Sequence, residues 1–223
     1  MQIDVITIFP KMFEAVLGAS IIKRAQEKGI LQITLHDLRD YTYDRHRSVD
    51  DRPYGGGPGM VMRPEPIFEA VEAIKTANCR TILMSPQGER LSTPLAQRLS
   101  AVERLIVICG HYEGVDERVK TLVDESVSIG DYVLTGGELP AMVLIDAVAR
   151  FLPGVIGHAQ ATVEESFADG WLEYPQYTRP PVFRGMAVPD ILLSGDHKQV
   201  AQWRKLQSVA KTMQLRPDLR GGS

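Results

Sequence analysis

A chain of 223 residues with 44% hydrophobic and 24% charged side chains is typical of a soluble globular protein with one large domain and at most a small appendage. No apolar run reaches the roughly 18–20 residues needed to span a membrane, and the first ten residues lack the plan of a signal peptide. The net charge of −3 excludes a protein coated uniformly with phosphate-binding side chains.

Hydrophobic periodicity predicts strands alternating with helices along the first two thirds of the chain. Strands are predicted at 2–9, 30–36, 80–84, 104–109 and 125–129, and helices at 10–28, 65–77, 94–102, 115–123 and 138–152. Because such alternation builds parallel sheets that are covered on both sides, we expect an α/β fold with a mostly parallel sheet and helices on both faces.

The pattern changes after residue 153, and we expect three regions: a large α/β domain at 1–155, a flexible linker at 156–170 and a small helical domain at 171–223. A basic helix is predicted at 195–213. Residues 171–223 carry eight Lys or Arg against four Asp or Glu, so the C-terminal part is basic although the whole chain is acidic. This asymmetry permits a polyanionic partner, although solvated helix faces often show it too.

The chain has two cysteines, Cys79 and Cys109, without CxxC or His-paired metal spacing. Buried core thiols in a reducing cytoplasm are the simplest interpretation.

Three segments rich in glycine or proline follow predicted strands: SPQGERL (85–91), GHYEGVD (110–116) and SIGDYVLTGGELPA (128–141). The loops that leave the carboxyl ends of parallel strands share one edge of the sheet, where ligands bind. Glycines at that edge expose peptide groups, which suits a flat, neutral heterocycle better than a triphosphate. The P-loop and dinucleotide fingerprints are absent. The alternative, glycines that only close tight turns, is the better interpretation for one loop but not for three.

Several motifs occur in an order that resembles the bacterial tRNA (guanine-N1)-methyltransferases. They are DRHRSVDDRPYGGGPGM (44–60), SPQG (85–88), ICGHYEGVDERV (108–119), SIGDYVLTGGELPA (128–141), PGVIGH (153–158), YTRP (177–180) and LLSGDH (192–197). The resemblance covers nearly the whole chain. It implies a trefoil-knotted enzyme of the SPOUT class that methylates N1 of guanosine 37 in tRNA, beside the anticodon, with S-adenosylmethionine as donor. It also implies a homodimer.

The resemblance assigns the three loops to binding of the methyl donor. The residues concerned are Met84, Ser85, Pro86, Gly110, Tyr112, Glu113, Gly114, Ile129, Gly130, Asp131, Tyr132, Val133, Leu134, Gly136 and Gly137.

The chemistry requires one acid and one arginine. Guanine N1 carries a proton at neutral pH, so a carboxylate must remove it, and a guanidinium can stabilise the charge that accumulates on O6. Arg150 matches the catalytic arginine of the resembling family, although a cation at the end of a helix can also be a dipole partner. The family has an aspartate where this chain has Glu165, which we expect to be the base, with Glu164 and Asp169 as alternatives. A merely solvated acidic linker is the remaining interpretation.

The loop at 44–60 combines cations with an aromatic ring, which is typical of phosphate contact and base stacking. From the resemblance, we expect Arg45, His46, Asp50, Arg52, Tyr54 and Gly55 to bind the substrate, the anticodon stem-loop of tRNA. Charges that solvate a mobile loop are the alternative.

No local cluster of side chains identifies a metal site, although the resemblance permits a Mg²⁺ ion. Two further functions stay open at this point: a knotted ribose 2′-O-methyltransferase, whose motifs fit less well, and an RNA-binding module that uses the donor only as a structural ligand. Methyl transfer to guanine N1 is the leading hypothesis.

Overall fold

The computed structural model describes residues 1–157 and 165–220. The chain divides into two compact units, Met1–Gly157 and His158–Ser223.

The first unit contains a sheet of five parallel strands, which confirms the predicted fold class. The nine strands of the described residues are β1 (Gln2–Thr7), β2 (Gln32–Asp37), β3 (Asp50–Asp51), β4 (Val61–Met62), β5 (Cys79–Arg90), β6 (Arg104–Cys109), β7 (Glu125–Ser128), β8 (Val182–Phe183) and β9 (Met186–Ala187). The order in the main sheet is β2-β1-β6-β5-β7, and every neighbouring pair is parallel. The short strands β3–β4 and β8–β9 form separate antiparallel pairs.

The helices of the first unit are α1 (Glu14–Leu17), α2 (Ser20–Glu27), α3 (Pro64–Ile74), α4 (Thr93–Ser100) and α5 (Glu138–Ala149), and those of the second are α6 (Asp190–Leu193) and α7 (His197–Leu215). Local sequence explains several of their starts. Pro64 is the first residue of α3, and the Ser92 hydroxyl accepts a hydrogen bond from the Leu95 N–H at the start of α4. Asp196 caps α7 by accepting bonds from the N–H groups of Lys198 and Gln199.

The core lies in two layers, one on each face of the sheet. Strand β6 shows the division, because Leu105, Val107 and Cys109 pack on one side and Ile106 and Ile108 on the other. The first layer is completed by α2, α4 and α5, and the second by α3. The predicted helices on both faces are therefore confirmed, and β6 is buried from Leu105 to Cys109 because its neighbours and both layers cover it.

The single helix predicted at 10–28 is wrong. A 3-10 helix at Pro10–Phe13 leads into α1, which ends at Leu17 with Gly18 as its C-cap, and α2 begins at Ser20. The Gly18 N–H donates to the Glu14 carbonyl at 2.9 Å, and a Cβ atom at Gly18 would lie 2.7 Å from that carbonyl oxygen. The break itself is at Ala19, whose backbone is extended with φ −131° and ψ 161°, so two helices replace the single one that a continuous hydrophobic pattern predicts.

Two other elements differ from the prediction. The helix predicted at 115–123 is a 3-10 helix at Glu117–Leu122. The segment at 85–91, predicted as a loop, largely continues β5 to Arg90, with a shift of register against β7 between Met84 and Glu89. The residues between Met84 and Glu89 are extra on the β5 side of the pairing with β7, and they form a bulge.

A buried carboxylate joins the three strands β2, β1 and β6. Asp4 is 4% exposed and accepts hydrogen bonds from Arg104 Nε at 2.8 Å and from His36 Nε2 at 2.9 Å. Burial by itself raises the pKa of the Asp4 carboxyl, but the hydrogen bonds and positive charges of His36 and Arg104 outweigh burial, so the pKa is lowered below its ordinary value.

We expect Asp4→Asn to weaken the acid dependence of stability. The pKa of Asp4 is lower in the folded chain than in the unfolded chain, so its contribution is complete above the unfolded pKa, near pH 4, and is lost as the pH falls through the folded pKa. The substitution should lower the free energy of unfolding at pH 7 by about 1–3 kcal/mol and flatten its decline below about pH 4. Urea unfolding from pH 2 to pH 7 measures both effects. Asp40→Asn, which removes an exposed partner of Arg47, is the control, and equal acid slopes for wild type and Asp4→Asn would contradict the prediction.

Candidate active site

A cavity of about 340 Å³ lies in the first unit at the carboxyl ends of β5, β6 and β7, which are neighbours in the sheet. Three chain segments build most of its wall: 83–87, 110–115 and 127–137. The first segment lies within β5 at its shift of register, the second follows β6, and the third runs on from the last residues of β7. Because β5, β6 and β7 are neighbours, the topology places the three segments side by side at one edge, as in other open parallel sheets.

All but one of the residues assigned to the methyl donor by the resemblance line this cavity. They are Met84, Ser85, Pro86, Gly110, Tyr112, Glu113, Gly114, Ile129, Gly130, Tyr132, Val133, Leu134, Gly136 and Gly137. The exception is Asp131, whose exposed carboxylate pairs with Arg90. The fold therefore gathers residues that are up to 53 positions apart in the sequence, from Met84 to Gly137.

Backbone contact between two loops closes one side of the cavity. The Gly137 N–H donates to the Gly110 carbonyl at 2.7 Å, and His111 forms an isolated antiparallel bridge with Gly136. A Cβ atom at Gly137 would lie 2.8 Å from Cys109 Cα and 2.9 Å from the Gly110 nitrogen. Glycine is required here because the two backbones occupy the space of a side chain.

The third loop begins with a tight turn around Gly130, whose φ of +153° favours glycine. The Ser128 hydroxyl bonds to both the N–H and the carbonyl of Gly130, and a Cβ atom at Gly130 would lie 2.4 Å from the Tyr132 ring. Beyond this turn, Tyr132 and Val133 are 55% and 82% exposed although both line the cavity. Exposed apolar side chains around a cavity with a peptide wall can cover a flat ligand.

A buried polar cluster lies behind this wall and was not predicted from the sequence. The Glu138 side chain is 1% exposed and accepts a hydrogen bond from the Thr7 hydroxyl at 2.8 Å. His111 Nδ1 lies 3.7 Å from the second Glu138 oxygen, and the His111 ring packs edge-on against Phe9 and Tyr112. Glu138 is the first residue of α5, where the N-terminus of the helix favours a carboxylate.

Gly136 makes room for this cluster. A Cβ atom there would lie 2.3 Å from Glu138 Oε2 and 2.4 Å from His111 Nδ1. The same carboxylate affects Cys109, since burial first and the negative charge of Glu138 second raise the pKa of that thiol well above its ordinary value. Cys109 is therefore an inert core thiol at neutral pH. An acidic residue at a predicted helix start was the available signal for Glu138, but nothing in the sequence indicates its burial.

The loop predicted to bind substrate is joined to the cavity loop at 110–116 by backbone hydrogen bonds. Glu113 N–H donates to Met60 carbonyl at 3.0 Å, Met62 N–H to Gly114 carbonyl at 2.9 Å and Asp116 N–H to Met62 carbonyl at 2.9 Å. The carboxylate of Asp50 lies close enough to contribute, after burial, to a raised pKa of the Tyr112 hydroxyl. The end of this loop therefore lies against the cavity wall.

The other residues predicted to bind substrate lie elsewhere in the same loop, before and after Asp50. Arg45, His46, Arg52, Tyr54 and Gly55 are all exposed, and Tyr54 is fully so. Gly55 has a positive φ of +85° within the turn that follows β3. Their exposure is compatible with contact to a large polyanion. It is equally compatible with the alternative, a loop whose charges are only solvated.

The two residues predicted to be catalytic lie outside the set that lines this cavity. Arg150 is the C-cap residue of α5, directly after Ala149. Glu165 belongs to the second unit and lines another cavity of about 340 Å³ there, together with Asp169, Arg204 and Lys205. Glu164, an alternative base, lies outside the described residues.

Within residues 1–157 and 165–220, no group of three or more His, Cys, Asp or Glu side chains is arranged to hold a metal ion. In the same part of the chain, none of the helices combines the length and the apolar character that crossing a bilayer requires.

We expect Gly137→Ala to destabilise the first unit through steric overlap. Backbone strain does not contribute, because Gly137 has a φ of −80° that alanine adopts readily. The added methyl group meets backbone atoms that cannot rotate away, so the free energy of unfolding should fall by about 1–3 kcal/mol. Urea unfolding followed by circular dichroism measures the change. Gly157→Ala is the matched control, since a Cβ atom there has no neighbour within 4 Å, and equal midpoints for both variants would refute the steric argument.

Comparison with known proteins identifies the family of this chain. The family described as tRNA (Guanine-1)-methyltransferase TrmD matches residues 1–221. Proteins named tRNA (guanine-N(1)-)-methyltransferase are 55% identical in Dictyoglomus turgidum, over 98% of this chain and 89% of that protein, and 58% identical in Carboxydothermus hydrogenoformans, over 98% and 87%. A third, from Moorella thermoacetica, is 58% identical over 98% of this chain and 90% of its own length. The resemblance seen in the motifs is thereby confirmed, and the chain belongs to the tRNA (guanine-1)-methyltransferase family.

Proposed function

We propose that this protein methylates N1 of guanosine 37 in tRNA with S-adenosylmethionine as the methyl donor. Membership of the family supports methyl transfer to guanine in tRNA. The observation that carries the finer proposal is the cavity at the ends of β5, β6 and β7, whose lining agrees with the donor-binding positions in all but Asp131.

The chemical character of the cavity suits this donor. Its volume of about 340 Å³ falls in the range of about 300–1,000 Å³ that is common for small-molecule sites. Peptide groups at 110–114 and 136–137 can read the edge of an adenine ring, and Ile129, Val133 and Leu134 offer apolar contact to its faces. When bound, the sulfonium supplies an electrophilic methyl group. The trefoil knot implied by the resemblance is part of this proposal.

The remaining chemistry is the activation of guanine. The carboxylate of Glu165 would take the proton from N1, and the guanidinium of Arg150 would stabilise the charge that develops on O6. Arginine suits the second role because it stays charged and presents several N–H donors in a plane. Asp169, the described alternative for the base, accepts a hydrogen bond from the Trp171 N–H at 3.2 Å and so closes its own turn.

The target guanine must leave its stack to reach a donor at the sheet edge, so we infer that the base is extruded. Arg45, His46, Arg52 and Tyr54 are available on the exposed loop to contact phosphates and bases. The second unit adds a cavity of about 570 Å³ whose lining includes Tyr174, Tyr177, Arg179 and Arg204. Aromatic rings beside guanidinium groups are typical of RNA contact, so we assign this unit to the anticodon stem-loop as well.

We further propose a homodimer in the cytoplasm. In the resembling family, one chain supplies the donor loops of each site and the other chain supplies the linker and the C-terminal unit. Sedimentation analysis of the active enzyme measures this, and full activity in a monomeric peak would contradict it.

The position of the methyl group tests the whole proposal. Transcripts that carry guanosine, inosine, adenosine or uridine at position 37 are incubated with labelled S-adenosylmethionine, and the nucleosides are then analysed. We expect 1-methylguanosine from the first transcript. Inosine, which retains N1–H and O6, should react to some extent, whereas adenosine and uridine should not. Methyl on ribose would point to a 2′-O-methyltransferase, and no transfer to any tRNA would point to a binding module.

We expect Glu165→Gln to slow methyl transfer by roughly 10²–10⁴-fold, because the amide retains the shape but cannot accept the N1 proton. Single-turnover rates with saturating tRNA measure the chemical step, and equilibrium dialysis should show unchanged donor affinity. Asp169→Asn is the control and should retain most activity. The reverse order of effects would identify Asp169 as the base.

A further inference from the structure

The segment that carries Glu165 is a turn within the second unit, and several hydrogen bonds close it. The Ala168 N–H donates to the Glu165 carbonyl at 3.2 Å, and the Phe167 N–H donates to the Trp171 carbonyl at 2.8 Å. The Glu173 N–H donates to the Ser166 hydroxyl at 3.0 Å, which ties the beginning of the turn to its end. Phe167 has a φ of +76°, a conformation that an L side chain retains only where its surroundings fix it.

Helix α7 holds the end of this turn through side chains one helical turn apart. The Leu172 N–H donates to the Thr212 hydroxyl at 2.9 Å, and the Ser208 hydroxyl donates to the Leu172 carbonyl at 2.6 Å. The Thr212 hydroxyl in turn donates to the Ser208 carbonyl at 2.7 Å, and Lys211 Nζ donates to the Glu173 carbonyl at 3.1 Å. Both polar backbone groups of Leu172 are thus held by α7.

The chain after α7 supports the other side of the turn. The guanidinium of Arg220 lies 3.3 Å from the centre of the Trp171 ring and donates to the Asp169 carbonyl at 3.4 Å. The guanidinium of Arg216 lies 5.8 Å from the centre of the Phe167 ring. These contacts stack cations on the two aromatic rings of the turn.

We propose that Thr212 is a positioning residue for the methyl-transfer reaction, and that it acts by fixing the turn on which Glu165 stands. This inference rests on the proposed role of Glu165 as the base. Thr212 is fully buried, and its hydroxyl joins the Leu172 N–H to the Ser208 carbonyl, so no water can replace it without rearrangement. The two neighbours of Leu172 are bonded to the residues that follow Glu165, since the Trp171 carbonyl accepts from Phe167 and the Glu173 N–H donates to Ser166. We infer that a shift at Leu172 is passed through these bonds to the backbone of the proposed base.

A pair of substitutions separates the hydroxyl from its volume. Thr212→Val keeps the shape but removes both hydrogen bonds, whereas Thr212→Ser keeps the hydroxyl. We expect Thr212→Val to lower the single-turnover rate by roughly 10- to 100-fold, because misplacing a reacting group by about 1 Å has an effect of that order. Thr212→Ser should restore most of the rate. Donor affinity should be unchanged in both variants, because the donor loops belong to the first unit.

A double-mutant cycle with Glu165→Gln distinguishes positioning from general stability. If Thr212 acts through Glu165, Thr212→Val slows the wild type but has little further effect on Glu165→Gln. Equal slowing in both backgrounds, or an unchanged rate in Thr212→Val, would overturn the inference. Hydrogen exchange provides an independent readout, with faster exchange at Leu172 and Glu173 expected in Thr212→Val but not in Thr212→Ser.

Failure of the underlying function gives a different pattern. If Glu165→Gln retains the wild-type rate, the assignment of the base is wrong, and the inference about Thr212 is overturned with it. If Thr212→Val does not fold, Ser208→Ala removes only the bond to the Leu172 carbonyl and enters the same cycle. A rate loss with Ser208→Ala in the wild type but not in Glu165→Gln then supports the proposal, and any other result contradicts it.

Discussion

The hydrogen bond from the Gly137 N–H to the Gly110 carbonyl is the contact on which the candidate site depends. It joins the loop after β6 to the residue before α5 at a separation that excludes any side chain on Gly137. The side of the cavity at Gly110 and Gly137 therefore consists of peptide groups held by backbone hydrogen bonding. A ligand read by such a wall is selected through hydrogen bonds to backbone, with little reorganisation of side chains on binding.

Strand β1 carries two buried polar side chains, Asp4 in the middle of the strand and Thr7 at its carboxyl end. Asp4 joins Arg104 and His36 on the adjacent strands, and Thr7 donates to the buried Glu138 behind the cavity wall. Buried carboxylates are costly unless they are paired or hydrogen-bonded, so each one fixes the geometry of the elements that satisfy it. Glu138 and His111 fill the space left by Gly136, which makes the wall continuous with the core.

The two units divide the proposed chemistry. The donor side is built on the edge of a rigid parallel sheet, whereas Glu165 stands on a turn that α7 holds by side-chain hydrogen bonds. A base on such a turn can be brought to the guanine when RNA binds, while its own backbone stays fixed. On this proposal, Thr212 contributes to the reaction through the turn that it holds and not by contact with the reacting atoms.

The sequence by itself determined the α/β class, the strands and most helices, because period-two and period-3.6 patterns of apolar residues survive in any buried element. Its motifs also identified the family and the loops at the sheet edge. Only the tertiary structure decided that an extended residue, Ala19, divides the predicted helix at 10–28, that β5 continues through a bulge to Arg90, and that Glu138 and Thr212 are buried. Each of these features depends either on atoms that are distant in the sequence or on local backbone geometry. Neither cause produces a periodic pattern of apolar residues in the sequence. Burial of a polar side chain is settled by the partners that the fold brings to it.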